Sequence, residues 1–172
     1  MKKTVIIILS LALLVLASCA TTSSVDFTSL QEGVKKVIEV EGASQDELFV
    51  KANNWAVSAF SNADSVIEFS DKESGTITGK YYLRYHGNCF YFWAGGDVAP
   101  WTLIQVEVKE GKARISLKLS SIDFYDGNGA KTSVVGGIER FFVDKDEAIL
   151  KAKWESLIAD FEKALKAEAD EW

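Results

Sequence analysis

The chain switches between two hydrophobic rhythms, one near two residues and one near four, and each switch marks an element. Val34 to Glu41 reads as a first strand, which Gly42-Ala43 breaks. Ser44 and Glu47 then form a capping box, the serine capping the helix start and the glutamate reaching back. Leu48, Ala52, Trp55 and Ala59 recur at helical spacing, with Phe49, Ala56 and Phe60 widening the stripe and Asn62-Ala63-Asp64 closing it. Ser65 to Asp71 is a second strand, with a turn at Lys72 to Gly75. Thr76 to His86 is a third, in which Ile77, Gly79, Tyr81, Leu83 and Tyr85 share one face. Thr102 to Lys109 and Lys112 to Phe124 predict a hairpin across Glu110-Gly111. There Ile104, Val106 and Val108 oppose Ile115, Leu117 and Leu119, while Glu107, Lys109, Arg114 and Lys118 face away, leaving one sheet face wet. Residues 125–143 are glycine-rich, with a short strand expected near Ile138 to Val143. A long helix from about Lys145 carries the stripe Leu150, Trp154, Leu157, Ile158, Phe161 and Leu165. The order β-α-β-β-β-β-α, with singly striped helices and a one-sided sheet, predicts a two-layer α+β domain with the C-terminal helix packed on the sheet.

The first residues follow a different logic. Lys2 and Lys3 precede an apolar run from Val5 to Ala17, about 13 residues against the roughly 20 needed to span a bilayer. Such a start predicts a secretory signal peptide over residues 1–18. Leu16-Ala17-Ser18-Cys19 resembles the lipobox of bacterial lipoproteins, which implies a diacylglyceryl thioether on Cys19, cleavage before it and acylation of its new amino group. Several acyl chains together give a stable anchor where one binds only marginally. Ala20, in place of an aspartate, resembles an outer-membrane address. The expected organisation is a lipidated tether over residues 19–33, one α+β domain over 34–168 and a tail over 169–172.

Charge and cysteine usage narrow the picture. Removing residues 1–18 takes away Lys2 and Lys3 and leaves 17 basic against 25 acidic side chains, a net charge of about −8. That balance argues against nucleic acid, which needs clustered Lys and Arg. With Cys19 lipidated only Cys89 remains, so no internal disulfide staples the fold.

Two segments, VIEVEGASQDELFVKANNWAV (Val37 to Val57) and SVIEFSDKESGTITGKYYLRY (Ser65 to Tyr85), carry a further likeness. A strand leads to a capped helix ending near a Trp; a strand, an acidic turn and the run Gly75, Ile77, Gly79 follow. Over roughly residues 34–123 this resembles an uncharacterised family of bacterial exported domains with a TATA-binding-protein-like fold. The resemblance implies that fold and brings no activity, cofactor or site residue. The namesake's DNA-binding role does not transfer, because it uses a basic, double-length saddle.

The stretch from His86 to Trp101 is the most suggestive for function. Phe90, Tyr91, Phe92 and Trp93 are consecutive aromatics, which cannot all face one core, so with Trp101 they form the candidate contact surface for a sugar, peptide or lipid. The bland alternative is a segment packed under a helix end. His86 and Cys89 make half of a zinc site with no second His or Cys to complete it, so no metal is expected. Asp126-Gly127-Asn128-Gly129 lacks the later ligands of a calcium loop and reads as a turn. Gly95-Gly96 and Gly136-Gly137 lack the Lys-Ser/Thr of a phosphate loop. Asp71 with Glu73, and Asp123 with Asp126, read as solvated turn charges, and no catalytic residue or cofactor is assigned.

The leading expectation is therefore a non-enzymatic lipoprotein, exported and anchored to the membrane, whose domain binds or scaffolds an envelope protein, glycan or lipid. Two alternatives stand beside it. One is a small hydrolase using carboxylates or His86 with Asp97; the other is a carrier of apolar ligands beneath the C-terminal helix.

Overall fold

The computed structural model describes residues 25–60, 66–87, 96–132 and 142–167. The elements are α1 (Phe27–Glu32), β1 (Val34–Glu39), α2 (Gln45–Ala59), β2 (Val66–Asp71), β3 (Thr76–Tyr82), β4 (Tyr85–His86), β5 (Asp97–Lys109), β6 (Lys112–Tyr125), β7 (Lys131–Thr132) and α3 (Asp144–Lys166). All strands join one antiparallel sheet in the order β1-β6-β5-β3-β2, with β4 beside β5 and β7 beside β6. The predicted α+β class and C-terminal helix are what the chain adopts.

The hairpin of β5 and β6 is the spine of the sheet. Its register pairs Ile104 with Leu117, Val106 with Ile115 and Val108 with Ala113, so the expected apolar rows share one face. Onto that face α2 and α3 lay Leu48, Ala52, Trp55, Leu150, Trp154, Leu157, Phe161 and Leu165, all buried. Trp55 and Phe161 meet across the two helices with ring centroids 4.8 Å apart. Ser44 caps α2, accepting the Glu47 N–H at 3.2 Å as its sequence predicts. In the first turn of α3, Asp146 Oδ2 accepts the Val143 N–H at 3.0 Å. That turn holds Asp144, Asp146 and Glu147 and the last turn Lys163 and Lys166, which suits the helix dipole.

Three expectations need correction. Phe27–Glu32, expected to lie in a tether over residues 19–33, form α1 instead: Asp26 caps it and Leu30 is fully inside the core. Phe27 packs at a tilt against Phe142 with centroids 5.8 Å apart, so two apolar residues three apart dock this short helix. The strand expected from Thr76 to His86 is two strands, β3 and β4, interrupted at Leu83 and Arg84. The interruption falls beside Pro100: Leu83 N–H donates to Pro100 O at 3.3 Å, and a proline has no N–H to return. The hairpin strand expected to start at Thr102 starts at Asp97, since Asp97–Trp101 pair with both β4 and β6. Among the described residues of 125–143, Lys131–Thr132 form a strand paired to Tyr125 and Phe124. The strand expected near Ile138 to Val143 lies mostly outside the described residues, with Phe142 buried and Val143 preceding α3.

Candidate functional site

Both long helices pack on one face of the sheet, and the strand alternation sends the other row of side chains to the opposite, open face. On β5 this row is Asp97, Ala99, Trp101, Leu103, Gln105 and Glu107. Cross-strand pairing adds Ser121, Asp123 and Tyr125 from β6, Tyr82 from β3 and His86 from β4. The open face therefore collects aromatic and charged groups at the end where β4 and β7 join.

Trp101 is the centre of that end. Strand alternation puts Trp101 and Thr102 on opposite faces, and between their partners Ser121 and Leu119 the bulged residue Ser120 has no opposite residue. Thr102 turns into the core, whereas Trp101 lies half-buried on the open face. The Trp101 ring packs at a tilt of 51° against Tyr82 with centroids 4.6 Å apart, and its indole N–H donates to Asp123 Oδ2 at 3.0 Å. The other Asp123 oxygen meets Lys131 Nζ at 2.8 Å, which raises the lysine's pKa above its ordinary value through that hydrogen bond. Trp101 is thus held at its ring face and at its polar edge.

A second cluster lies beside it. Arg84 donates to Asp97 Oδ2 at 2.7 Å and sits 4.1 Å over the Tyr125 ring. His86 is exposed, with Nδ1 3.8 Å from the other Asp97 oxygen, beyond hydrogen-bond reach. The structure brings His86 and Asp97 together, but Arg84 occupies the carboxylate. Gly87 N–H donates to Gly96 O at 3.0 Å, which carries the pairing of β4 with β5 one step further. Phe90, Tyr91, Phe92 and Trp93 lie outside the described residues, as do Cys89 and Cys19.

Further along the open face a groove of about 610 Å³ runs between α1 and the sheet, lined by Gln31, Lys35, Gln105, Glu107, Arg114 and Lys118 among others. Arg114 holds Glu107 through Nε at 2.9 Å and Nη2 at 2.5 Å. On the helical side a second groove, about 700 Å³, lies between α2 and α3 with Lys51, Asn54, Ser58, Lys153 and Asp160 on its walls. Trp55, Ala59, Tyr81, Leu157 and Ala164 also line it, so polar and apolar groups share its walls.

The other acidic candidates serve turns. Asp71 accepts the N–H groups of Glu73 and Ser74 at 3.2 Å each, and its hydrogen bonds, Ser74's foremost, lower its pKa. Asp126 Oδ1 accepts from the Asn128 and Ala130 amides at 2.9 Å each. Among the described residues no three His, Cys, Asp or Glu side chains are grouped to hold a metal. None of the helices described is long and apolar enough to cross a membrane.

Sequence reading missed Tyr82, Arg84, Asp123 and Tyr125 as parts of this site. The missing signal was that Trp101 belongs to a strand. Once Asp97–Trp101 are extended, period-two counting puts Asp97 and Trp101 on one face.

Residues 35–124 match the family described as a domain of unknown function, DUF4468, with a TBP-like fold. The chain belongs to this family. A DUF4468 family protein from Bacteroides ovatus has the same fold at a TM-score of 0.55 and 17% identity, the match covering 88% of this chain and 96% of that one. A TBP-like protein from Parabacteroides distasonis matches at 0.55 and 16%, covering 79% and 93%. No curated protein matches. The fold expected from the sequence motifs is thereby established for this DUF4468 protein.

Proposed function

We propose that this protein is a non-catalytic binding module of the cell envelope, anchored by lipid at Cys19, whose open sheet face takes a glycan at Trp101. The observation that carries the reading is the restraint on Trp101. Tyr82 packs against its ring and Asp123 holds its edge, on a face that neither long helix covers. A prearranged indole loses little conformational freedom on binding, so stacking against a ring is retained as affinity. Asp123, Lys131, Arg84 and Asp97 border it with donors and acceptors suited to sugar hydroxyls, and less suited to an apolar lipid tail.

The test has two arms. Mass analysis of the mature chain should find residues 1–18 absent and acyl chains on Cys19; an intact leader or a free thiol would reject the anchor. Titration with soluble envelope glycan fragments, followed by Trp fluorescence, should give binding that Trp101→Ala abolishes while the fold is retained. Equal binding by wild type and Trp101→Ala would remove this surface from consideration.

A further inference from the structure

Among the described residues the sheet has two outer strands, and they differ. Strand β2 is irregular, with a register shift between Ile67 and Phe69. Strand β1 keeps an unbroken register with β6, from Val34 opposite Leu117 to Glu39 opposite Lys112. Its unused backbone groups can be identified. In the next pair of that register, Val40 N–H donates to Gly111 O at 2.9 Å. Alternation then turns the polar groups of Ile38, Lys36 and Val34 toward β6, and leaves those of Lys35, Val37 and Glu39 pointing outward. The side chains of the same three residues lie on the open face, in the order cation, apolar, anion. Val37 is 50% exposed, with its apolar surface facing water.

We propose that β1 pairs antiparallel with β1 of a second copy of this chain, about a two-fold axis through Val37. In this register Val37 meets Val37, and Lys35 of each copy faces Glu39 of the other, a contact that symmetry supplies twice. Backbone phase, charge and hydrophobicity select it independently. The three residues with outward N–H and C=O groups are the ones that face their counterparts. A one-residue slip sets outward groups against groups already engaged with β6. A two-residue slip sets Val37 opposite Lys35 or Glu39. Lysines on an edge normally discourage stray strands; here Glu39 of the same strand cancels that defence for a second copy alone. The ladder is only six residues long, so the dimer is weak and concentration-dependent. This inference is independent of what binds at Trp101.

The experiment uses the full chain. A photo-crosslinking side chain placed at Val37 in cells should give a band of twice the mass, while one at Val57, exposed on α2, should not. Sedimentation equilibrium of the purified chain in detergent then tests the register. Lys35→Glu or Glu39→Lys alone should weaken association about ten-fold, since two facing pairs become like-charged. The combined Lys35→Glu/Glu39→Lys reversal should restore it. Circular dichroism checks folding, because Glu39→Lys also faces Lys112 within its own sheet. Val37→Pro provides a second route: it removes an outward N–H only, so it should fold as an edge strand and fail to pair. A chain that stays monomeric at the highest concentration, a crosslink to a different protein, or a double reversal as weak as the single ones would overturn the proposal.

Discussion

The indole N–H of Trp154 on α3 donates to Thr102 Oγ1 on β5 at 2.8 Å, with both residues buried. This is a polar tie between the two layers, in the middle of an apolar core. It fixes the rotation of α3 over the sheet at the position where the bulge begins. Thr102→Val keeps the shape and removes the acceptor, leaving a buried indole donor unsatisfied. The expected loss is about 1–3 kcal/mol, read from denaturant unfolding. In the Trp154→Phe background the same Thr102→Val change should cost much less. Equal costs in the two backgrounds would show that the bond contributes nothing.

Tyr85 predicts an alkaline weakness. Burial raises the phenol's pKa well above its ordinary value of 10.0, and the nearby Asp146 charge and its hydrogen bond add to the shift. The hydroxyl donates to the Asp146 backbone oxygen at 3.4 Å, which ties β4 to the start of α3. Because the folded pKa is the higher one, the neutral phenol's contribution is complete below about pH 10 and is lost as pH rises above it. Melting temperature should fall above pH 10 in the wild type, and Tyr85→Phe should flatten that part of the profile. A profile unchanged by Tyr85→Phe would assign the alkaline loss elsewhere.

Gly33 sets the path from α1 into β1. Its φ of +74° lies in the left-handed region, and a Cβ there would come within 2.0 Å of Leu117 O. Both strain and collision act against Gly33→Ala, so a destabilisation of about 2 kcal/mol is expected. Since the contact is with backbone, no side-chain rotation relieves it. Unfolding at wild-type denaturant concentration would contradict the close approach.

What was legible in the sequence follows from how local each signal is. The Ser44 cap, the α2 and α3 stripes and the Ile104/Leu117 register are set by residues near one another in the chain. The period of two or 3.6 reports their faces directly. The site was harder because its parts meet by cross-strand pairing. Trp101 meets Tyr82 through the β3–β5 pairing and Asp123 beside a bulge in the β5–β6 register, and nothing in the spacing of Ser120 announces a bulge. Gly96 and Pro100 made Asp97–Trp101 look like a loop. Helix α1 escaped notice because Phe27 and Leu30 are its main anchors, too few to stand out from a polar stretch.

Pro100 gives the last prediction, since it occupies a strand flanked on both sides. Its carbonyl accepts from Leu83, but the return bond to Leu83 O is missing. Pro100→Ala supplies the absent N–H and should allow β3 and β4 to join. The new hydrogen bond contributes about 0.5–1.5 kcal/mol. The freed backbone costs about 0.4–1 kcal/mol through the unfolded chain. These nearly cancel, so overall stability should move by less than about 1 kcal/mol. Hydrogen exchange separates the terms that the total hides: the new amide at position 100 should exchange slowly, and the amides around Leu83 and Arg84 should gain protection. Fast exchange at position 100 would mean that the break at Leu83 is imposed by something other than the proline.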